Sequence, residues 1–229
     1  MIHAVDIVKH YPRGGDTGRA VLDGVSLDVE PGTFCAVLGP SGSGKSTLLR
    51  CLSGLESLDS GRVEVGGQDV TSMEPKAMAR FRREDIAFVF QEYNLVSDLT
   101  LRENIGLDLE MTADVQELGR KWGIGHVLDQ FPAECSGGQQ QKAALLRALN
   151  KGARVLFCDE PTGALDAAST GAVLTEIQTL VRRFGTTVLM ITHNELVTEI
   201  ADRVIRLHDG AVAADAVQET PRWADEVEW

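Results

Sequence analysis

In the stretch Gly39-Pro40-Ser41-Gly42-Ser43-Gly44-Lys45-Ser46-Thr47, the first eight residues match the pattern G-x-x-x-x-G-K-[ST] without a mismatch. Their flanks matter as much as the match. Phe34 to Leu38 is an unbroken apolar run of strand length, and Leu48, Cys51 and Leu52 fall at i, i+3 and i+4, the spacing of one helical face. A chain with this feature runs strand, tight loop, helix, which points to an α/β fold. Glycines let successive N–H groups face one concavity without Cβ clashes, and the helix N-terminus adds partial positive charge, so the loop is built to cradle phosphates. Lys45 is placed to reach β- and γ-phosphates, Ser46 to offer a hydroxyl to Mg²⁺, and Thr47 to make a second phosphate contact. Gly39, Ser41, Gly42, Ser43, Gly44, Lys45, Ser46 and Thr47 thus form the candidate nucleotide cradle.

The 229 residues suffice to bury a substantial core and suggest one or two compact units, with no internal repeat. A net charge of −12 argues against a general nucleic-acid or anionic-membrane binder, which would carry a basic face, and leaves room only for a local basic site. Cys35, Cys51, Cys135 and Cys158 contain no C-x-x-C pair, so free thiols in a reducing compartment are expected and zinc is not. No apolar stretch approaches the ~18 residues of a membrane span. The expectation is a soluble, unsecreted chain that another protein would hold at a membrane.

Ile2 to Val8 and Val25 to Glu30 read as strands of an antiparallel lobe, parted by the turn-rich Pro12-Arg13-Gly14-Gly15-Asp16 and rejoined at Arg62 to Val65. Tyr11 either stacks on a purine base or merely packs. A helix is expected from Pro75 to about Arg83. Ile86 to Phe90 reads as a buried strand ending at Gln91, which either serves a water or Mg²⁺ or makes a loop hydrogen bond. From Glu92 to Asn150 the pattern turns helical: Leu101 to Met111, Val115 to Trp122, and a long helix opening at Ser136. The Ser136-Gly137-Gly138 start repeats the phosphate-binding logic or simply caps its helix.

Val155 to Cys158 is a continuous apolar strand that runs into Asp159-Glu160. Adjacent carboxylates repel, so a nearby cation is the natural explanation: Asp159 would hold Mg²⁺ directly or through water, and Glu160 would act as general base on an attacking water. Ala167 to Phe184 reads as a helix, Thr187 to Ile191 as the next strand, with His193 beyond its end. The strand tips at Gly39, Gln91, Asp159 and His193 should converge on the carboxyl edge of one mostly parallel sheet. Arg203 to Leu207 and Ala211 to Ala214 read as a closing hairpin, and the acidic end Asp225 to Trp229 as mobile.

In this order the motifs resemble those of the ATP-binding cassette (ABC) ATPases over nearly the whole chain. The resemblance rests on the loop at Gly39, Gln91 in Phe-Gln-Glu, Ser136-Gly137-Gly138-Gln139 as signature, Asp159-Glu160-Pro161, Gly163-Ala164-Leu165-Asp166 and His193. Leu99-Thr100, Glu103-Asn104-Ile105 and Gln139-Gln140-Gln141 are most similar to the branch serving lipoprotein release, macrolide and peptide export, and cell division. It implies a P-loop NTPase core with a mostly parallel sheet (residues 1–91 and 151–229), carrying an N-terminal antiparallel β lobe. A helical subdomain holding the signature (92–150) is inserted, all within a single domain, 1–229. It further implies ATP and Mg²⁺ as cofactors and a homodimer that sandwiches two ATP head to tail. Tyr11 would stack on adenine. Ser136 and Gly138 of one copy would face the γ-phosphate held by Lys45 of the other, with His193 sensing that phosphate and Asp166 along the seam. The catalytic set is then Glu160, His193, Gln91 and Lys45, and the metal set Ser46, Gln91 and Asp159.

The implied partner is a separate integral membrane permease met through about residues 93–105, with the ATPase peripheral on the cytoplasmic face. Tyr93-Asn94-Leu95-Val96 and Leu99 should form an exposed apolar patch there. Three positions depart from the family pattern: Cys135 stands for the usual Leu, Lys142 for the usual Arg, and the Asn104 to Ser136 segment is short, with Gly119, Gly123 and Gly125 crowding its helices. The alternative is a soluble non-transport cassette ATPase acting on another macromolecular complex. The acidic balance and the lack of a coiled coil or second cassette speak against it. A GTPase is disfavoured because Asn150-Lys151-Gly152-Ala153 lacks the Asp of a guanine-reading motif.

Overall fold

Three runs, β3 (Phe34–Leu38), β7 (Val155–Asp159) and β8 (Thr187–Thr192), are buried at every position, the pattern of strands covered on both faces. The computed structural model describes residues 1–11, 20–107 and 114–229. In chain order the remaining strands are β1 (Ile2–His10), β2 (Ala20–Val29), β4 (Ser60–Val65), β5 (Gln68–Asp69), β6 (Ile86–Val89), β9 (Arg203–His208) and β10 (Ala211–Val217). The helices are α1 (Lys45–Leu52), α2 (Pro75–Glu84), α3 (Leu101–Gly106), α4 (Val115–Lys121), α5 (Gly137–Asn150) and α6 (Ala167–Phe184). The turn expected at Pro12 to Asp16 lies outside the described residues, as does the end of the helix expected to reach Met111.

Two sheets divide the strands. The larger has the order β10-β9-β3-β8-β7-β6, parallel throughout except for β10. The smaller, β2-β1-β4-β5, is antiparallel. Thus the fold is a P-loop-type α/β core with a mostly parallel sheet, an antiparallel β lobe and a group of helices between β6 and β7. Strand alternation splits the core. Phe34, Ala36 and Leu38 face the layer built from α3 to α6, while Cys35 and Val37 face α1 and the antiparallel lobe. Burying an aliphatic or aromatic side chain of this size contributes about 1.5–3 kcal/mol.

Register aligns the tips. Leu38 pairs with Thr192, Asp159 with Ile191, and Val89 with Cys158, so the residues that follow each strand emerge along one edge. The helical segment is short: beyond α4, residues 123–135 contain a single 3-10 turn (Pro132–Glu134) before α5.

The acidic end is packed rather than mobile. Ala224 and Val227 are buried in the α6 layer, and Trp229 lies against Gly171 of α6 with its indole N–H donating to the Ala224 carbonyl (2.7 Å). Buried Gln178 of α6 holds this segment: its amide nitrogen donates to the carbonyls of Ile200 (3.0 Å) and Arg222 (2.8 Å), and its oxygen accepts from Ala224 N–H (2.7 Å). Charge dominates the composition of this end, but its few apolar side chains decide its placement.

Candidate active site

Lys45 opens α1 directly after Gly44, which has a φ of 100° that an L-residue rarely adopts. A Cβ on Gly44 would lie 2.6 Å from the Val21 carbonyl, and one on Gly39 would lie 2.2 Å from that of Leu207, so the loop is seated against backbone at both ends. Lys45 reaches back across it, donating to the carbonyls of Gly39 (2.7 Å) and Pro40 (3.0 Å). Ser43 is buried, and its hydroxyl has no hydrogen-bond partner among the described residues. That orphaned hydroxyl, ringed by a helix N-terminus, suits a phosphate oxygen. Ser41 and Gly42 are exposed at the tip; Thr47 is half-buried on the first turn of α1.

Ser46 turns to β7, its hydroxyl 3.4 Å from Asp159 Oδ1. Burial pushes the Asp159 carboxyl above its ordinary range, and the Ser46 hydroxyl and Arg50 pull it only partly back. A desolvated carboxylate beside a hydroxyl is an oxygen donor set that fits Mg²⁺ completed by phosphate and water. Glu160 then leaves the strand line. Its φ of 49° costs roughly 1–2 kcal/mol for an L-residue. Its Oε2 lies 2.8 Å from Nδ1 of His193, the residue just past β8. The Glu160 N–H is fixed by the Ile191 carbonyl at 3.0 Å.

Gln91 follows β6, the strand beside β7, and is exposed in a turn. Gly39, Lys45, Ser46, Asp159, Glu160 and His193 are therefore brought together, with Gln91 on the same edge. Ser136 and Gly138 are not joined to them: no hydrogen bond among the described residues links either to the Lys45 loop. Ser136 caps α5 through a reciprocal pair with Gln139 (3.3 and 2.8 Å). Gly138 instead approaches the turn before α6, where an added Cβ would lie 3.6 Å from the Ala164 carbonyl. Asp166 caps α6 by accepting from the Ser169 N–H (2.8 Å) and hydroxyl (3.1 Å), which hold its carboxyl below the usual range. Tyr11, at the end of β1, donates its hydroxyl to Glu56 (2.5 Å); burial first, then that carboxylate, raises the phenol.

The apolar segment after Gln91 is only partly exposed. Leu95 and Leu99 are half-buried, Leu95 packing on the core beside α5, and Val96 is the open apolar side chain. Two residues that local pattern does not reveal hold it. Buried Asn104 of α3 accepts from Val96 N–H (2.7 Å) and donates to the carbonyls of Val96, Leu99 and Thr100 (each 3.0 Å), pulling the leucines inward. Arg147 of α5 donates to the carbonyls of Asn94 (2.8 Å) and Tyr93 (3.2 Å). Cys135 is buried and packs as an apolar residue before the signature.

The profile of the ABC transporter family matches residues 22–163, and the Bacitracin export ATP-binding protein BceA of Halalkalibacterium halodurans is 39% identical over 93% of this chain and 87% of its own. The chain belongs to the ABC transporter family. A putative ABC transporter ATP-binding protein of Mycoplasma pneumoniae, the MG065 homolog, is 38% identical over 99% of this chain and 50% of its own. The chain thus spans about half the length of that curated relative. Among solved structures, the dimeric post-hydrolysis state of the ATP-binding cassette MJ0796 bound to ADP and Pi superposes with a TM-score of 0.88 at 28% identity, covering 96% of this chain and all of that one. Among the described residues no helix is long and apolar enough to cross a membrane.

Proposed function

We propose that this ABC ATPase dimerises head to tail around two ATP molecules and hydrolyses them to ADP and phosphate to drive a separate membrane permease. The observation that carries the reading is the pairing of Glu160 with His193 at 2.8 Å beside Asp159 and Ser46 at 3.4 Å, on the edge that also presents Lys45. The division into a core of residues 1–91 and 151–229 and a signature-bearing part, 92–150, belongs to this reading.

Lys45 and the N–H groups of the loop hold the β- and γ-phosphates, and Tyr11 offers a ring to the base. Ser46, Asp159 and Gln91 would hold Mg²⁺, which when bound neutralises charge building on the phosphate oxygens. Glu160 accepts the proton of the water that attacks the γ-phosphorus as the bond to ADP breaks. His193, anchored to Glu160, keeps that carboxylate in place and stands where it can meet the γ-phosphate. Ser136 and Gly138, turned away from their own Lys45 loop, are free to complete the site of a second copy, with Asp166 on the seam between them. ATP then joins the two subunits only while its γ-phosphate lasts.

BceA, whose name describes an exporter's ATP-binding protein and most of whose length is matched, favours an exporter or mechanotransmission permease met through about residues 93–105. The ATPase would sit on the cytoplasmic face of the cell membrane as a peripheral subunit. Glu160→Gln tests the chemistry. It should bind ATP normally, trap an ATP-bound dimer and lower turnover by at least ~100-fold, the scale of a lost general base. Lys45→Ala should instead weaken ATP binding itself. Parental turnover in Glu160→Gln would remove Glu160 from the mechanism.

A further inference from the structure

The loop behind Gln91 meets α5 at Gly137 and Arg147, positions ten residues apart whose backbones are roughly 15 Å apart at about 1.5 Å per helical residue. Near the far end, the Arg147 guanidinium donates to the Asn94 carbonyl at 2.8 Å and the Tyr93 carbonyl at 3.2 Å. Two consecutive left-handed residues, Tyr93 at φ 61° and Asn94 at φ 47°, present both carbonyls to one planar fork. At the near end, the Tyr93 hydroxyl reaches the first turn of α5. A Cβ at position 137 would lie 3.0 Å from that oxygen, so the ring rests against the backbone of Gly137, between Ser136 and Gly138. One loop residue is therefore held by Arg147 through its carbonyl and touches the signature turn with its ring.

We infer that Arg147 and Tyr93 are positioning residues for ATP hydrolysis. They fix the signature turn where it can meet nucleotide on a second copy, and they pass any displacement of the 93–94 loop to Ser136 and Gly138. The inference rests on the head-to-tail dimer proposed above. Neither residue belongs to the chain's own Lys45 loop, so their loss should impair assembly across the seam and leave binding of nucleotide to the monomer intact. General loosening of the fold would damage both.

The test uses the full chain carrying Glu160→Gln. Binding of the fluorescent analogue mant-ATP reports the monomer's own site, and sedimentation velocity with MgATP reports dimerisation. Arg147→Ala and Tyr93→Ala should each weaken MgATP-driven dimerisation at least tenfold while mant-ATP affinity stays within threefold. Arg147→Lys keeps the charge but replaces the planar fork that faces both carbonyls at once with a compact ammonium on a shorter reach, and should fall between. Gly137→Ala should also weaken the dimer, and adding Tyr93→Phe should restore part of the loss, because it removes the atom the new Cβ meets. Dimerisation undiminished in both alanine variants, or mant-ATP affinity lost in step with it, overturns the positioning role. A Glu160→Gln parent that stays monomeric in MgATP overturns the sandwich itself and this inference with it.

Discussion

Gln178→Leu removes three hydrogen bonds with little change of volume. Ile200 and Ala224 are fully buried, so the Ile200 carbonyl and the Ala224 N–H are stranded in the core, while the Arg222 carbonyl is part-exposed and regains water. Each stranded buried group costs about 1–3 kcal/mol. The two together give about 2–5 kcal/mol after the small gain from a more apolar side chain. Against a typical domain stability of about 5–15 kcal/mol this is a large fraction. Urea unfolding followed by tryptophan emission measures it, since Trp223 and Trp229 flank the segment Gln178 holds. The slope m should be unchanged and the midpoint lowered. Mant-ATP affinity should stay near parental, because Lys45 and Asp159 lie on other elements. A loss below about 0.5 kcal/mol, the range of ordinary surface changes, would refute the claim that Gln178 anchors the end of the chain.

Asp159→Asn should stabilise the nucleotide-free protein while abolishing MgATP hydrolysis. Burial raises the Asp159 carboxyl above 3.8, so the folded state binds more protons than the unfolded, and stability falls as pH rises from 3.8 through the raised value. Melting temperatures should show a smaller decline across that window in the variant; an identical pH profile would contradict the burial argument. Val96→Asp should leave the protein folded and ATP-binding while abolishing co-purification with the permease proposed above. Leu95→Asp, placing a charge on the core beside α5, should lower the melting temperature as well; the reverse pattern would misplace the coupling surface. The Cys35 and Cys51 thiols, each pushed up to about 12 by burial, should resist alkylation in the native protein at neutral pH and react only on unfolding. Rapid native labelling of either would contradict their burial.

Features that depend on neighbours in sequence were legible in it. The Gly39 loop, the apolar strands on either side of the central layer and the Ser136 cap each need only a few adjacent residues to declare themselves. The convergence of strand tips also followed, because parallel strands joined by helices present their carboxyl ends together. What escaped notice was held by distant partners. Arg147 meets Tyr93 across 54 residues of chain and Gln178 meets Ala224 across 46, with no periodicity to mark either. Charge points to a mobile end of the chain, but Gln178, 46 residues from Ala224, holds it in place. The run of apolar residues points to an exposed patch, but Asn104, only five to eight residues away, ties down the backbone of Val96 and Leu99 through bonds that apolar pattern does not mark. β5 is two polar residues, which carry no strand pattern at all.

β3, which delivers the Gly39 loop, is bordered by β8 on one side and β9 on the other. It ends at Leu38, yet its first neighbour begins only at Thr187. At about 5–20 residues per second, on the order of ten seconds of synthesis separates them. Throughout that interval the nascent chain carries a wholly apolar strand with both hydrogen-bonding edges bare, the state most open to mispairing. Interrupted translation anywhere before residue 187 should therefore yield an aggregating fragment. Codon usage or chaperone capacity acting late in the message should govern the yield of active protein.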